Sequence, residues 1–411
     1  MTLSGTNLDF GHRFNRRVVL EGVRRHGPLS RAELARLTGL SAQTVSNIAE
    51  GLREAGLLLE ARRRTGGRGQ PPIDLAIDPA GAFSLGISFD HRRLVVVLLN
   101  LAGEVQGQIE VPVIRPTPGV VLPLIEAAAH ELRARTAVPA DRLWGAGVAI
   151  PALVSGGEPT RLGPSTIPDW DGFPLAARLG ERLGLPVLVN NDAAAAAVGE
   201  LLFGAGRELR DFFYLYLGAG IGGGLVLNGR PYRGAHGLAG ELGHLVVVPG
   251  GRPCSCGNQG CLERYASLSA AQAALTGTPE GTEAVDPDQL SRALAAGDPR
   301  MLRWLEEAAT HLRHAVANLE NLLDPQATII GGSIPDDLLD ALLARLDPLP
   351  RSVRSGRNTG TPRVLKAAAG LETRVLGAAS LAIFDGMAPD PALLLKRSAP
   401  DTTARPTEAA A

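Results

Sequence analysis

Apolar positions recur with a helical period through the first 56 residues and gather into short runs after residue 83. Val19, Leu20 and Val23 share one face of Arg16–Arg25, with arginines on the other. That spacing predicts an amphipathic helix, stopped by His26-Gly27-Pro28. Ser30 with Glu33 three residues on makes a capping box, which opens a helix over Arg31–Thr38 with Leu34 and Leu37 expected inward. Gly39 supplies its left-handed end. Ser41 caps a third helix, Ala42–Ala55, whose Val45, Ile48 and Leu52 lie on one face, and Gly56 ends it. Leu57–Leu59 then reads as a strand running into Arg62-Arg63-Arg64-Thr65-Gly66-Gly67-Arg68-Gly69, a basic hairpin tip. Two helices joined at a tight glycine turn, followed by a strand and a basic tip, predict a winged helix-turn-helix over residues 1–75.

Beyond Gln70-Pro71-Pro72 the pattern changes. Apolar runs over 83–89, 94–100, 145–150, 187–190, 212–217, 224–227 and 327–330 read as strands. Between them lie helical stretches over 120–136 and 174–183 and a long amphipathic one near 302–323. Such alternation predicts an α/β body with mixed sheets. The segment 388–411 is rich in Pro, Ala and Thr and reads as a disordered tail. No apolar run reaches the roughly 18–20 residues of a membrane helix, and no secretory signal is visible. The expectation is a soluble cytoplasmic protein, associated with the nucleoid only through DNA.

Charge sharpens the division. The whole chain has a net charge of −1, but residues 1–75 carry 12 Arg against 7 Asp and Glu, while the remainder carries 29 basic and 35 acidic residues. A basic head on a mildly acidic body suggests nucleic-acid binding by the head. Arg31, Ser41, Gln43, Thr44, Ser46 and Asn47 are the candidate contacts at the helix-turn-helix, where short polar groups reach base edges and phosphates. Arg63, Arg64 and Arg68 of the wing suit phosphate or minor-groove contact. The alternative is a small helical protein-binding domain with a solvated basic face.

All three cysteines, Cys254, Cys256 and Cys261, fall within eight residues, and His244 lies ten residues before the first. Three thiolates and an imidazole make a closed tetrahedral zinc site, structural because no position is left open. The alternative is three reduced cysteines in a loop. Glu241 and Glu263 flank the cluster and suit a polyol, whose hydroxyls donate to carboxylates. Val189-Asn190-Asn191-Asp192 ends a strand and starts a helix, where a carboxylate can serve as general base or merely cap. Leu217-Gly218-Ala219-Gly220-Ile221-Gly222-Gly223-Gly224 is either a phosphate cradle or a tight hairpin. Ile329-Ile330-Gly331-Gly332-Ser333 carries the same ambiguity.

In this order, these pieces resemble the ROK family (repressors, open reading frames and sugar kinases) from about Phe14 to about Phe384. The match rests chiefly on Glu241–His244, the Cys254–Cys261 cluster and Glu263, with Gly147–Pro151 and Asn318–Gln326 before Ile329–Ser333. The head is similar to those of the family's xylose- or N-acetylglucosamine-responsive repressors. The resemblance implies a two-lobed actin/hexokinase-like body, the first lobe over 81–196 completed by a helix at 371–386, the second over 197–370. It implies that Asn191, Asp192, Glu241, His244 and Glu263 contact a sugar, Asp192 matching the kinases' catalytic base. Departures fall on the nucleotide side. Where family kinases carry Asp-x-Gly-Gly-Thr, this chain has Ser88-Phe89-Asp90-His91-Arg92. Ala219 replaces a threonine, and Ala194 stands where kinases often have Asn. The expectation is a sugar-responsive repressor, not an enzyme, that binds operator DNA and a monosaccharide or sugar-phosphate as a homodimer or homotetramer. The alternative is a sugar kinase using ATP.

Overall fold

The computed structural model describes residues 8–62, 73–155, 158–160, 167–279, 285–357, 360–370 and 372–387. Contacts divide them into two compact units, one built on residues 8–82 and the other on residues 83–383.

The head contains α1 (Leu8–His26), β1 (Leu29–Ser30), α2 (Arg31–Thr38), α3 (Ala42–Glu54), β2 (Leu58–Arg62) and β3 (Ile73–Ile77). Val19, Leu20 and Val23 of α1 pack with Leu34 of α2 and Val45, Ile48 and Leu52 of α3, all buried. Both predicted caps form. Ser30 Oγ accepts from the Glu33 N–H at 3.3 Å while Glu33 accepts from the Ser30 N–H at 2.8 Å. Gly39 closes α2 with φ 70°, in the left-handed region. Removing that reciprocal pair with Ser30→Ala is expected to destabilise α2 by about 1 kcal/mol. Faster hydrogen exchange of the α2 amides, with the body's amides unchanged, checks this.

Two expectations for the head need correction. Leu37 is 50% exposed: α2 is a short helix that rests on its neighbours through Leu34, and Leu37 lies beyond that face. Residue 75, the expected boundary, falls inside β3, which pairs antiparallel with β2 and with β1 in a sheet of order β1-β3-β2. Gln70-Pro71-Pro72 therefore punctuates the connection between two wing strands and does not end the head. Arg63, Arg64, Arg68 and the tail 388–411 lie outside the described residues.

The body holds two sheets of one design. The first uses β4 (Phe83–Phe89), β5 (Arg93–Asn100), β6 (Val105–Pro112), β7 (Leu143–Ile150) and, after the short hairpin β8 (Leu153–Ser155) and β9 (Glu158–Thr160), β10 (Val187–Asn191). The second uses β11 (Phe212–Leu217), β12 (Ile221–Leu227), β13 (Arg230–Tyr232), β14 (Ala327–Gly332) and β15 (Val364–Lys366). Their orders, β10-β7-β4-β5-β6 and, read from the other edge, β15-β14-β11-β12-β13, match strand for strand. In each, the first strand pairs antiparallel with the second and parallel with the fourth. This is the expected two-lobed actin/hexokinase-like α/β body. Central strands β4 and β11 are buried along their whole length, whereas edge strand β6 alternates exposed and half-buried positions, as sheets covered on both faces require.

Helices α4 (Pro118–Thr136) and α5 (Leu175–Leu183) cover the first sheet and join its core around Leu85, Val96, Ile125, Val148 and Leu179. Helix α6 (Asp192–Phe203) packs on β11 and β12. The second sheet's other cover comprises α7 (Glu263–Ala266), α8 (Leu268–Thr276), α9 (Pro287–Ala295), α10 (Pro299–Leu323) and α11 (Asp336–Leu343), with Trp304, Leu305 and Leu312 at its centre. The last helix, α12 (Thr373–Met387), lies close on the first sheet and on α6. Ser84 Oγ donates to the Ala379 carbonyl at 2.7 Å. A side chain at Gly147 would run into the Ala378 carbonyl, so only glycine allows that approach. Fully buried Glu200, near the end of α6, accepts from the Ala205, Ala368 and Ala369 N–H groups. It thereby anchors the strap that leads into α12.

Candidate ligand cleft and metal cluster

The matching sheets place matching features at one cavity of about 620 Å³ within the body. The β4–β5 turn brings Asp90 and Arg92, the β11–β12 turn brings Ala219 and Gly220, and the start of α6 brings Asn191 and Asp192. Glu241, His244, Glu263, Arg264 and Arg374 add further polar lining, while Trp170, Pro151 and Leu153 supply apolar wall. All five residues expected to contact a sugar line this cavity.

Their roles divide. Asn191 is the N-cap of α6: its Oδ1 accepts from the Ala193 and Ala194 N–H groups at 2.8 and 3.4 Å, and its Nδ2 donates to the Ala152 carbonyl at 3.1 Å. Asp192 follows at the first helical position, accepting from the Ala193 N–H at 2.8 Å. Burial pushes its carboxyl up to about 6, with Asp90 adding to the rise and Arg374 opposing it. Glu241 is pushed up to about 7, by burial first and then by Asp192 and Glu263. A carboxyl near neutrality is a competent base and a hydrogen-bond partner in either protonation state.

The glycine turn is a hairpin. Leu217 and Ile221 pair across it, and the Gly218 N–H donates to the Gly220 carbonyl at 2.9 Å. Glu263 accepts from the Ile221 N–H at 3.0 Å. In the equivalent β4–β5 turn, Asp90 accepts from the Arg92 and Arg93 N–H groups at 2.9 and 3.2 Å. Both turns thus hold a carboxylate where a phosphate cradle would present free backbone donors.

His244, Cys254, Cys256 and Cys261 converge, their ligand atoms all within 4.8 Å of one another. His244 Nδ1 stands 3.6 Å from Cys254 Sγ, and Cys256 Sγ stands 3.6 Å from Cys261 Sγ. Ligands at zinc–sulfur and zinc–nitrogen bond lengths in a tetrahedron would be roughly 3.5–3.8 Å apart, so the donor set can hold a metal ion. Burial and the neighbouring sulfurs push the Cys261 thiol up to about 12; a bound divalent cation reverses that preference and deprotonates a coordinating thiol. Gly260, with φ 82°, turns the chain against the Val248 carbonyl just before Cys261. Nδ1 faces the sulfurs, which leaves Nε2 as the His244 nitrogen for the cavity.

In the head, Ser41 caps α3 by accepting from the Thr44 N–H at 3.1 Å. Gln43 and Asn47 are exposed and hydrogen-bonded to each other at 2.8 Å, and Thr44 and Ser46 are half-buried beside them. Arg31 pairs with Glu60 of β2 at 3.2 Å.

Arg374 and Trp170 also line the cavity and were not among the residues expected there. Arg374 left one signal, the single arginine of a mostly apolar helix. Trp170 is 2% exposed, tilts against Phe89 with ring centroids 4.8 Å apart, and donates from its indole nitrogen to the Pro116 carbonyl.

Comparison with known proteins agrees with this architecture. The ROK family model matches residues 85–384, and the MarR family model matches residues 17–69. A xylose repressor of Bacillus spizizenii is 28% identical over 325 residues, 79% of this chain and 83% of that protein. A glucokinase of Halalkalibacterium halodurans is 34% identical over 265 residues, 61% of this chain and 80% of that one. A crystal structure of a ROK family transcriptional regulator, a homolog of the E. coli MLC protein, superposes with a TM-score of 0.73 at 26% identity, covering 92% of this chain and 98% of that one. With the family's pattern spanning the body and a MarR-type winged helix before it, the chain belongs to the ROK family.

Proposed function

We propose that this protein is a sugar-responsive transcriptional repressor. The observation that carries the proposal is the union, in one chain, of a winged helix-turn-helix with a polyol-suited cleft whose phosphate-facing turns are closed by carboxylates. The xylose repressor and the ROK transcriptional regulator support the same assignment.

The head binds operator DNA. Ser41, Gln43, Thr44, Ser46 and Asn47 meet bases and phosphates in the major groove, Arg31 meets the backbone, and the wing arginines Arg63, Arg64 and Arg68 add phosphate or minor-groove contacts. Two heads in a homodimer, or in the dimers of a homotetramer, read a palindrome. A monosaccharide binds in the cleft, with Asn191, Asp192, Glu241, His244 and Glu263 around it. The metal is zinc in a structural role, shaping the segment that carries His244 and leads to Glu263. The ligand acts by binding two arrangements of the body unequally, since equal affinity would shift nothing.

The test is operator selection from random duplex DNA, followed by fluorescence anisotropy with and without sugar. Asp192→Asn is expected to keep operator affinity within about twofold and to raise the sugar needed for half-response by at least about tenfold, the range for losing a hydrogen bond to a charged group. Loss of operator binding by a folded Asp192→Asn protein contradicts this division of roles. The second reading, a sugar kinase with a DNA-binding head, is favoured by the glucokinase relative and by Asp192, whose carboxyl near 6 suits a base. Sugar-dependent ADP formation would establish it.

A further inference from the structure

Arg374 opens α12 beside the cavity, 8% exposed, and among the described residues it is the buried one of the three arginines, with Arg92 and Arg264, that line the cavity. Its Nη2 donates to Asp90 Oδ2 at 3.0 Å. Asp90 is held in turn by the Arg92 and Arg93 N–H groups, so the guanidinium is docked on a fixed carboxylate. Three observations fix the helix that carries it: the Glu200 grip on 368–369, the close seat at Gly147, and the Ser84 bond to Ala379. A buried guanidinium stays charged, and a buried charge is retained only where it has partners.

We propose that Arg374 is the positioning residue of the cleft: docked on Asp90, it serves as the permanent counter-ion of Asp192 and makes the site selective for uncharged sugars over their phosphate esters. This rests on the cleft being the sugar site. Asp192, Arg374, Asp90, Tyr216 and Glu241 line one cavity, and α6, which Asp192 opens, lies directly against the start of α12, Gly199 against Thr373 and Ala195 against Gly377; these groups, with Tyr214 of β11, set the charge that Asp192 meets. Among these, Arg374 alone is cationic. Without it, an ionised Asp192 would sit beside two further carboxylates in a buried place. With it, Asp192 remains an acceptor for a sugar hydroxyl at neutral pH.

A phosphate ester is disfavoured in the buried part of the cleft. Arg374 is already committed to Asp90, and the other two lining arginines, Arg92 and Arg264, are more exposed. The turn N–H groups of Arg92, Arg93 and Ile221 are committed to Asp90 and Glu263. Asp90, Asp192, Glu241 and Glu263 all line the cavity and would repel a dianion.

The experiment measures affinity by calorimetry on the full-length zinc-loaded protein. It uses a panel of neutral pentoses and hexoses and their phosphate esters, from pH 5 to 8.5. For a sugar that binds the wild type, affinity is expected to rise with pH through about 6, where Asp192 ionises. Arg374→Met should move that rise upward by at least about one pH unit, a loss that approaches tenfold below both midpoints and vanishes above them. Arg374→Lys should restore most of it. Asp90→Asn, which removes a like charge and frees Arg374, should move the rise downward, and it keeps the idea testable if Arg374→Met does not fold. Phosphate esters should bind the wild type at least about tenfold more weakly than the free sugars.

An affinity loss in Arg374→Met that is equal at every pH would reduce Arg374 to a packing residue and overturn the proposal. So would esters that bind as tightly as the free sugars. A wild type that binds no sugar at all would instead overturn the assignment of the cleft.

Discussion

Cys261→Ser should lower the stability of the body by on the order of 3–5 kcal/mol, the range for losing a structural metal ligand together with its buried packing. Cys261 is fully buried, and its Sγ lies 3.6 Å from Cys256 Sγ within the four-residue cluster. The segment that bears the cluster has no strand or long helix of its own. Its regular elements are the 3-10 turn at Leu242–His244 and two isolated bridges, Val246 with Cys261 and Pro253 with Gln259. Turn hydrogen bonds fold it back on itself, with the Val247 and Val248 N–H groups on the Gly260 carbonyl, the Cys254 N–H on the Asn258 carbonyl and the Leu262 N–H on the Leu245 carbonyl. A bound metal would tie the four ligands of this turn-built segment together and add its binding free energy to the fold. His244 and Glu263 sit at its two ends and line the cavity, so sugar affinity should fall with stability. The measurement is differential scanning calorimetry of wild type and Cys261→Ser, with metal content by mass spectrometry. One zinc per wild-type chain and a transition lowered by roughly 10 °C in the mutant are expected. Equal melting of the two proteins would mean that the cluster is a set of reduced thiols.

Glu241→Gln should do the reverse, stabilising the body above neutrality while removing the sugar response. The Glu241 carboxyl is pushed up to about 7, first by burial and then by Asp192 and Glu263. Its folded value exceeds its unfolded one, so its contribution to stability is fully present below about 4.5 and is lost as pH rises through about 7. Glutamine carries no charge at any pH. The variant should therefore match the wild type near pH 4.5 and exceed it at pH 8 by on the order of 2 kcal/mol, discounted for the partial exposure of the group. Urea unfolding at the two pH values checks this. A site that carries unfavourable charge in its free state and loses stability for it is an ordinary feature of ligand binding.

Features encoded by near neighbours were legible in the sequence. The Ser30–Glu33 capping box, the Gly39 and Gly56 helix ends, and the close spacing of Cys254, Cys256 and Cys261 each state their geometry within a few residues. The cluster and its flanking glutamates marked half of the cleft. What was not legible depended on partners far along the chain. Ile73–Ile77 becomes a wing strand only by pairing with β1 and with β2 across residues 63–72. The 218–220 turn could be a cradle or a hairpin until Glu263, some 42 residues on, was seen to occupy the Ile221 N–H. Arg374 and Asp90 are 284 residues apart, and no local pattern joins them. Asn191 carried a resemblance to a sugar contact, but the string did not reveal that both ends of its amide are spent on the α6 cap and Ala152.

The central claim is that the cleft takes a sugar without a nucleotide and that this governs the head. A thermal-shift screen of the zinc-loaded full chain against a sugar panel, each sugar with and without MgATP and with ADP assayed in parallel, tests it most directly. A sugar is expected to raise the melting temperature alone, to be unaffected by MgATP, to yield no ADP, and to change operator affinity at the same concentrations. A shift that requires MgATP, or ADP formed in proportion to sugar, would contradict it and make the protein a kinase.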